Sequence, residues 1–203
     1  MRETAYGQKE STTWVDRWGI WLSSAAVRRE IQKIRAPLRC LDIGCGYKAQ
    51  LLQQLLPMIE KAVAVDVSID ASVKAIGKIE SMESPIEPAL DKLKGRSFNA
   101  ILMVSVLEHL SEPLLVLRFC HEVLEPGGRF IINVPTWRGK AFLEFSAFRL
   151  GLSPKFEMDD HKMYYDQRDL WPMLVKAGFK PSAIRMRYHK WGLNLFTVCE
   201  KKS

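Results

Sequence analysis

The sequence has few of the features that mark disulfide-linked, metal-binding or membrane-spanning proteins. Its 4 cysteines, Cys40, Cys45, Cys120 and Cys199, include no CxxC pair and no spacing typical of zinc ligands. The longest uncharged apolar run, residues 100–107, is far shorter than the roughly 20 residues that a spanning helix needs. The N-terminal residues show no signal-peptide pattern. We therefore expect reduced thiols, no bound metal and a cytoplasmic location.

The composition is that of a globular domain with an uneven charge. Hydrophobic residues make up 47% of the 203 residues and charged residues 26%, which excludes a disordered or collagen-like chain. The net charge is +7, and residues 137–203 hold 13 basic and 7 acidic residues, so +6 lies in the last third. Such a region suits a phosphate, an anionic glycan, a membrane surface or nucleic acid, or is simply a solvated surface. No nucleic-acid motif accompanies it, so nucleic acid is not expected.

Apolar runs alternate with amphipathic stretches along the chain, a pattern typical of parallel βαβ units in an α/β domain. We predict one domain over residues 1–203. The predicted strands cover residues 38–43, 62–65, 79–82, 98–104 and 129–134, and residues 179–188 and 193–200 form a closing antiparallel hairpin. The predicted helices cover residues 11–35, 47–59, 70–78, 111–124 and 166–177. Pro85 and Pro88 are expected to break any long element between residues 79 and 96.

A glycine-containing turn follows the first predicted strand. Gly44 and Gly46 let a ligand approach the backbone there, and Asp66, at the end of the second strand, suits two ribose hydroxyls. Gly44, Gly46 and Ala49 fit the GxGxxG/A fingerprint of a nicotinamide dinucleotide. Asp42, however, is unfavourable beside a pyrophosphate and favourable beside the sulfonium and ammonium groups of S-adenosylmethionine. We favour S-adenosylmethionine and keep the dinucleotide as the alternative.

Five ordered segments resemble motifs of the class I S-adenosylmethionine-dependent methyltransferases, in particular the small-molecule, ubiquinone-biosynthesis-like branch. They are LDIGCG (41–46), VAVDVS (63–68), FNAI to VLEHL (98–110), LEPGG with IINVP (124–135), and His161 to Phe179. The resemblance covers about residues 30–200. It implies a Rossmann-like, seven-stranded, mostly parallel sheet with an antiparallel last strand and helices on both faces. It also implies S-adenosyl-L-methionine as the cofactor.

The same resemblance implies which residues surround the cofactor. They stand at the ends of the first four strands: Asp42, Gly44, Cys45, Gly46, Asp66, Val67, Met82, Ser105 and Val106. Asp42 is expected at the methionine end and Asp66 at the ribose, and Met82 and Glu83 are the candidates for the adenine side. The family often has glycine two positions after Gly46, where this chain has Lys48.

The acceptor side is expected after the fifth strand. His161 precedes the last predicted helix, on the side where the family binds acceptors, so we predict that it is the catalytic base. Tyr164, Tyr165 and Trp137 are predicted to contact the acceptor.

Two segments are predicted to cover the site. Residues 137–165 form an acceptor-side insertion, whose aromatic and basic part (137–152) suits a lid, a membrane-surface helix or plain packing on the sheet edge. The tryptophan-rich residues 1–35 are predicted to form an N-terminal helical lid.

These observations predict an S-adenosylmethionine-dependent methyltransferase acting at oxygen on a small-molecule or glycan-intermediate acceptor, one that is anionic or lipid-linked, with peripheral membrane contact as a further expectation. Two alternatives stay open. One is an NAD(P)-dependent oxidoreductase, and the other is a methyltransferase-like protein that binds without catalysis.

Overall fold

The computed structural model describes residues 5–8, 14–34, 37–142 and 162–202, with the backbone alone for residues 14–17. Within these ranges one sheet contains β1 (Leu38–Ile43), β2 (Ile59–Asp66), β3 (Ile79–Glu83), β4 (Phe98–Val104), β5 (Leu124–Pro135), β6 (Ile184–His189) and β7 (Asn194–Glu200). The strand order is β3-β2-β1-β4-β5-β7-β6. The β7 strand is antiparallel to both of its neighbours, and the other pairs are parallel, as the resemblance implied.

Helices cover both faces of this sheet. They are α1 (Trp14–Ile31), α2 (Gln50–Leu55), α3 (Ala71–Lys74), α4 (Ile86–Leu93), α5 (Pro113–Val123) and α6 (Gln167–Lys176). Buried residues of α4, α5 and α6 pack in one cluster with one face, and those of α1, α2 and α3 pack with the other. The strands are apolar because both of their faces are covered. Among the helices of the described ranges, none is long and apolar enough to cross a bilayer.

The topology leaves a crevice between β1 and β4. The chain winds from β1 outward to β3 and then returns to place β4 on the other side of β1. Connections therefore leave the carboxyl ends of these two strands in opposite directions, which is where open α/β sheets bind ligands. The glycine turn after β1 lies at this point.

The predicted strands are confirmed, whereas several helices differ. The α2 helix begins only at Gln50, because Ala49 adopts a left-handed conformation (φ 43°) that a helix does not continue. The α4 helix was not predicted. Pro85 precedes it and Pro88 lies in its first turn, where the missing N–H breaks no helical hydrogen bond. The two prolines thus start a helix rather than preventing one.

A buried ion cluster fixes α1 to the sheet. Glu30, near the end of α1, is 8% exposed, and its carboxylate accepts hydrogen bonds from Arg129 (2.6 Å) and Lys33 (2.6 Å). Arg185 of β6 lies 3.6 Å from the same carboxylate. Burial alone raises the pKa of Glu30, but these cations outweigh it and hold the pKa below its ordinary value. The cluster therefore joins α1, β5 and β6 through one carboxylate.

Replacing this carboxylate is expected to loosen α1. Glu30→Gln leaves the nearly buried Arg129 without its closest counter-charge, so the free energy of unfolding falls by about 1–3 kcal/mol. Glu80→Gln is the matched control, because Glu80 pairs with Arg96 at the surface and such pairs contribute about 0–1 kcal/mol. Urea unfolding of the three proteins measures both changes. Equal losses in the two variants would contradict a special role for Glu30.

Candidate cofactor and acceptor site

The turn after β1 has its backbone N–H groups occupied by the protein itself. The N–H groups of Gly44 and Cys45 donate to the Val65 carbonyl at 2.8 and 3.1 Å. The N–H of Gly46 donates to Asp66 Oδ2 at 2.8 Å. A phosphate cradle needs such N–H groups directed at the ligand. These three are directed at protein acceptors, which disfavours a pyrophosphate here.

Asp66 organises the end of β2. Its Oδ1 accepts the N–H of Val67 at 2.8 Å while Oδ2 holds Gly46. A carboxylate is an acceptor-only group, the type that hydroxyl donors bind. Both Asp66 and Val67 line the cleft beside the turn. The arrangement suits a ribose, as the sequence predicted.

Asp42 is a buried carboxylate with an unmet hydrogen bond. Its side chain is 2% exposed, and Oδ2 has no hydrogen-bond partner in the structure. Burial, with the nearby Asp66 charge as the smaller cause, raises the pKa of Asp42 to about 7. An unsatisfied buried oxygen is costly, so it points to a missing donor or cation.

The end of β4 forms the opposite wall of the cleft. Ser105 has φ 56°, an uncommon conformation for a residue with a side chain, and its N–H donates to the Asn133 carbonyl at 2.8 Å. Val106 then approaches the turn so closely that a Cβ built on Gly44 lies 2.3 Å from Val106 Cγ2. Gly44 is therefore required both for its positive φ of 72° and for this contact.

An N-terminal segment lies across the turn. The Tyr6 carbonyl accepts the N–H of Tyr47 at 3.0 Å, and Ala5 and Tyr6 line the cleft. The lid predicted over residues 1–35 thus has one part at the cofactor cleft. The side chains of residues 14–17, within the same predicted lid, lie outside the described part of the chain.

The structure brings most of the predicted cofactor residues together. Gly44, Asp66, Val67, Ser105 and Val106 line one cleft, with Asp42, Cys45 and Gly46 at or beneath the turn. Burial, and then the charges of Asp42 and Asp66, raise the pKa of the Cys45 thiol, so it is a neutral group there.

Met82, predicted beside the adenine, is not among the residues that line the cleft. Met82 packs against the hydrophobic core, and the lining residues after β3 are Ser84, Ile86 and Glu87. Because α4 was not predicted, the residues at its start were not considered. An apolar pattern at Ile86, Ala89, Leu90 and Leu93 was the signal that identifies this helix.

Three of the four predicted acceptor residues, Trp137, Tyr164 and Tyr165, lie in the described part of the chain. His161, like all of residues 143–161, lies outside the described residues. Trp137 Nε1 donates to Asp169 Oδ2 at 3.1 Å, and its ring lies 5.6 Å from that of Tyr164. Tyr165 is 2% exposed with its hydroxyl 3.5 Å from the Leu107 carbonyl, and burial raises its pKa to about 12. Tyr164 and Tyr165 are thus buried, whereas Trp137 is 44% exposed.

Other residues complete the cleft. His109, Leu110 and Ser111 follow β4, and Lys162 reaches them from the segment before α6, donating from Nζ to Ser111 Oγ at 2.6 Å. The N–H of Lys162 also donates to the Glu108 carbonyl at 2.8 Å. Lys162 is far from this loop in sequence, so sequence motifs alone did not identify it.

These residues fit S-adenosylmethionine better than a dinucleotide. The unmet Asp42 oxygen suits a cationic group, Asp66 suits ribose hydroxyls, and the N–H groups from Gly44 to Gly46 are already used. Two carboxylates at one turn disfavour phosphate and favour positive charge.

Comparison with known proteins agrees with this chemistry. The profile of a family described as "Methyltransferase domain" matches residues 21–183. A ubiquinone biosynthesis O-methyltransferase from Cereibacter sphaeroides is 30% identical over 158 residues, which are 71% of this chain and 61% of that protein. Another from Nitrosococcus oceani is 27% identical over 135 residues, 61% of this chain and 56% of that protein. The chain thus spans about three-fifths of the length of these relatives.

Solved structures share the fold. A SAM-dependent methyltransferase from Archaeoglobus fulgidus superposes with a TM-score of 0.68 at 16% identity, covering 93% of this chain and 100% of that one. The 1,6-didemethyltoxoflavin-N1-methyltransferase of Burkholderia thailandensis, solved with S-adenosylhomocysteine, gives 0.62 at 20% identity, covering 94% and 84%.

The chain belongs to the methyltransferase-domain family. It shares the fold of solved S-adenosylmethionine-dependent methyltransferases, and the chemistry of its cleft suits S-adenosylmethionine as the cofactor. The resemblance inferred from the ordered motifs is confirmed, and the matches give no support to the nicotinamide alternative.

Substitution of Gly44 is expected to weaken cofactor binding. Gly44→Ala places a Cβ against Val106 and strains a positive φ, so affinity for S-adenosylhomocysteine falls at least about tenfold. Gly95→Ala is the control, because Gly95 has a similar φ of 77° but nothing within 4 Å of its Cβ position. Calorimetric titration compares the variants. Unchanged affinity in Gly44→Ala would contradict the close approach of the ligand to this turn.

Cofactor affinity is expected to rise with pH through about 7, the pKa of Asp42. Below that pH the carboxyl is neutral and attracts no cation, whereas above it the carboxylate does. Affinity should then change by up to about tenfold per pH unit below the pKa. Titration with S-adenosylmethionine between pH 6 and 8 tests this, with Asp42→Asn giving a flat and weaker profile.

The same carboxyl affects stability in the opposite direction. A raised pKa means that the folded state holds the proton more tightly, so the free energy of unfolding falls as pH rises from about 4 to about 7. Asp42→Asn should remove this slope, which is at most about 1.4 kcal/mol per pH unit. A slope that survives the substitution would place the titrating group elsewhere.

Proposed function

We propose that this chain transfers the methyl group of S-adenosylmethionine to an oxygen atom of a small-molecule or glycan-intermediate acceptor. The observation that carries the proposal is the buried, unsatisfied Asp42 oxygen beneath the glycine turn. Support for oxygen as the methylated atom comes from the relatives, which are named O-methyltransferases. The glycine turn and Asp66 argue against lost cofactor binding, and the methyl-transfer assay below decides between catalysis and binding without catalysis.

The cofactor supplies the electrophilic methyl group when bound. Asp42 would hold its positive end, Asp66 its ribose hydroxyls, and Ser105 with Val106 the side facing the end of β4. The protein's contribution is to fix the acceptor in line with the methyl group and exclude water, which accounts for much of the rate in such reactions.

A hydroxyl acceptor also requires a base. We propose His161, supported by the position of its sequence neighbour Lys162 in the cleft lining. An imidazole accepts a proton near neutral pH, which suits an acidic phenol or a sugar hydroxyl. Tyr164, Tyr165 and Trp137 remain proposed acceptor contacts. The two tyrosines follow Lys162 closely in sequence, and the Trp137 ring packs against Tyr164.

The acceptor is proposed to carry negative charge, as a nucleotide-linked or lipid-phosphate-linked intermediate does. Lys162 is an exposed cation in the cleft lining, and +6 of the net charge lies in residues 137–203. Replacing Arg138, Lys140 and Arg149 with alanine is expected to weaken acceptor binding and leave cofactor affinity unchanged.

The direct test is methyl transfer by the purified chain. Phenols, catechols and nucleotide- or lipid-linked sugars are supplied with S-adenosylmethionine, and S-adenosylhomocysteine release is followed. We expect turnover with an oxygen acceptor. His161→Gln should lower kcat at least about a hundredfold while calorimetric cofactor affinity stays unchanged.

Glu80→Gln, on the far surface, should retain full activity. A methyl group found on nitrogen or carbon would overturn the proposed atom. Cofactor binding with no turnover across the panel would overturn the proposed acceptor class.

A further inference from the structure

Tryptophan side chains of α1 and the β6–β7 turn form one exposed surface. The rings of Trp18 and Trp191 stack with centroids 5.4 Å apart and an interplanar angle of 20°. Trp21 lies three residues after Trp18, so it is a neighbour on the same side of the helix. The exposed fractions of Trp18, Trp21 and Trp191 are 50%, 61% and 73%. Large apolar groups grouped in this way usually mark a contact surface.

The turn that holds Trp191 is built at a conformational cost. Lys190 and Trp191 have φ values of 49° and 56°, a region that residues with side chains seldom adopt. Contacts from the segment after β5 hold the turn in place: Thr136 Oγ1 donates to the Gly192 carbonyl at 2.7 Å, and the Arg138 guanidinium lies beside Gly192. The ring is therefore held outward by surrounding structure rather than left there by a loose loop.

Basic side chains border these rings. Arg138 is exposed beside the turn, and the Lys190 ammonium lies next to Gly19 of α1. We call Trp18, Trp21, Trp191, Arg138 and Lys190 the tryptophan surface. Tryptophan with lysine and arginine is the combination that settles at the headgroup level of a bilayer, because the indole is amphipathic and the cations meet anionic lipid.

The tryptophan surface lies at the cofactor edge of the sheet. Asn194, at the start of β7, pairs with Pro135 at the end of β5, so the β6–β7 turn stands at the carboxyl edge of the parallel strands. The glycine turn and the end of β4 stand at the same edge. When the tryptophan surface contacts a partner, the cofactor cleft therefore lies on the side of the molecule that faces this partner.

We infer that the tryptophan surface docks this protein on an anionic lipid bilayer. The occupant follows from charge complementarity, since the surface and the last third of the chain are basic. The tryptophan surface shares only Arg138 with the side chains proposed to bind the acceptor. Substitutions of Trp21 and Trp191 therefore test docking separately from methyl transfer, and either can fail while the other holds.

Vesicle sedimentation tests the inference. Vesicles of phosphatidylcholine and phosphatidylglycerol at about a 7:3 ratio should bind the protein, and pure phosphatidylcholine should bind it at least about tenfold less. Trp21→Ala combined with Trp191→Asn should reduce binding at least about tenfold, asparagine being chosen because it tolerates a positive φ. Trp171→Ala is the matched control, a 41% exposed tryptophan on α6 that lies outside the surface.

Charge is tested separately from aromatic contact. Arg138→Gln and Lys190→Asn should each weaken binding roughly fivefold, and raising salt from about 0.1 to 0.5 M should weaken the wild type similarly. Calorimetric affinity for S-adenosylhomocysteine should be the same in all variants, which shows that they are folded. The inference is overturned if anionic vesicles do not bind the wild type, or if Trp171→Ala loses as much binding as the double variant.

Discussion

The burial of Asp42 at the end of the central strand is the constraint on which this site depends. A carboxylate in the middle of a covered sheet, with one oxygen unpaired, has a free-energy cost that apolar residues around it do nothing to offset. Asp66 adds a second negative charge at the next strand. The backbone N–H groups of the glycine turn already have acceptors within the protein, because they donate to Val65 and Asp66. The Asp42 oxygen remains without a hydrogen-bond partner, so the complementary ligand is a cation, and Asp66 suits hydroxyl groups on it.

This arrangement separates two uses of nearly the same sequence pattern. Gly44, Gly46 and Ala49 match a dinucleotide fingerprint by spacing alone. In a phosphate site the N–H groups of such a turn are directed toward the ligand, whereas here they are directed toward protein oxygens. The glycines serve close approach instead, since Val106 leaves no room for a Cβ at Gly44. A dinucleotide site and this site therefore differ in the acceptors to which the N–H groups of the turn donate. In the sequence, the difference is indicated by the carboxylates of Asp42 and Asp66.

The central strands, such as β1 and β4, were predictable because each is a buried apolar run whose type does not depend on distant partners. Helix lengths were less so. The left-handed conformation of Ala49 makes α2 begin later than predicted. The helix predicted over residues 70–78 is shorter at both ends, because Asp70 caps α3 and the helix ends at Lys74. The α4 helix was missed because proline was interpreted as a breaker, although proline is favourable at a helix start.

The site likewise contains residues that the sequence predicts and residues that it does not. Asp66 and Ser105 lie within contiguous motifs and line the cleft, and both were predicted from the sequence. Tyr6 and Lys162 were not, because each reaches the cleft from a segment remote in sequence through backbone hydrogen bonds to Tyr47 and Glu108. Such pairings depend on the whole chain path, and no local pattern encodes them. Met82 illustrates the converse, since its position beside the right strand end did not determine which way its side chain packs.

Charge is also distributed unevenly along the chain, in a way that suits ligands of opposite sign. Residues 1–136 are nearly neutral overall and supply the carboxylates around the cofactor cleft, whereas residues 137–203 carry +6. The fold places β6, β7 and α6 from the basic part beside β5, so one sheet edge joins an acidic pocket to a basic flank. A cationic cofactor and an anionic acceptor or surface would thus be attracted to adjacent regions without competing for one another's contacts. The Glu30 cluster connects the two parts, because it ties α1 to Arg129 and Arg185 across the sheet. Rigid attachment of α1 is what allows the aromatic side chains at its surface to keep a fixed relation to the cleft.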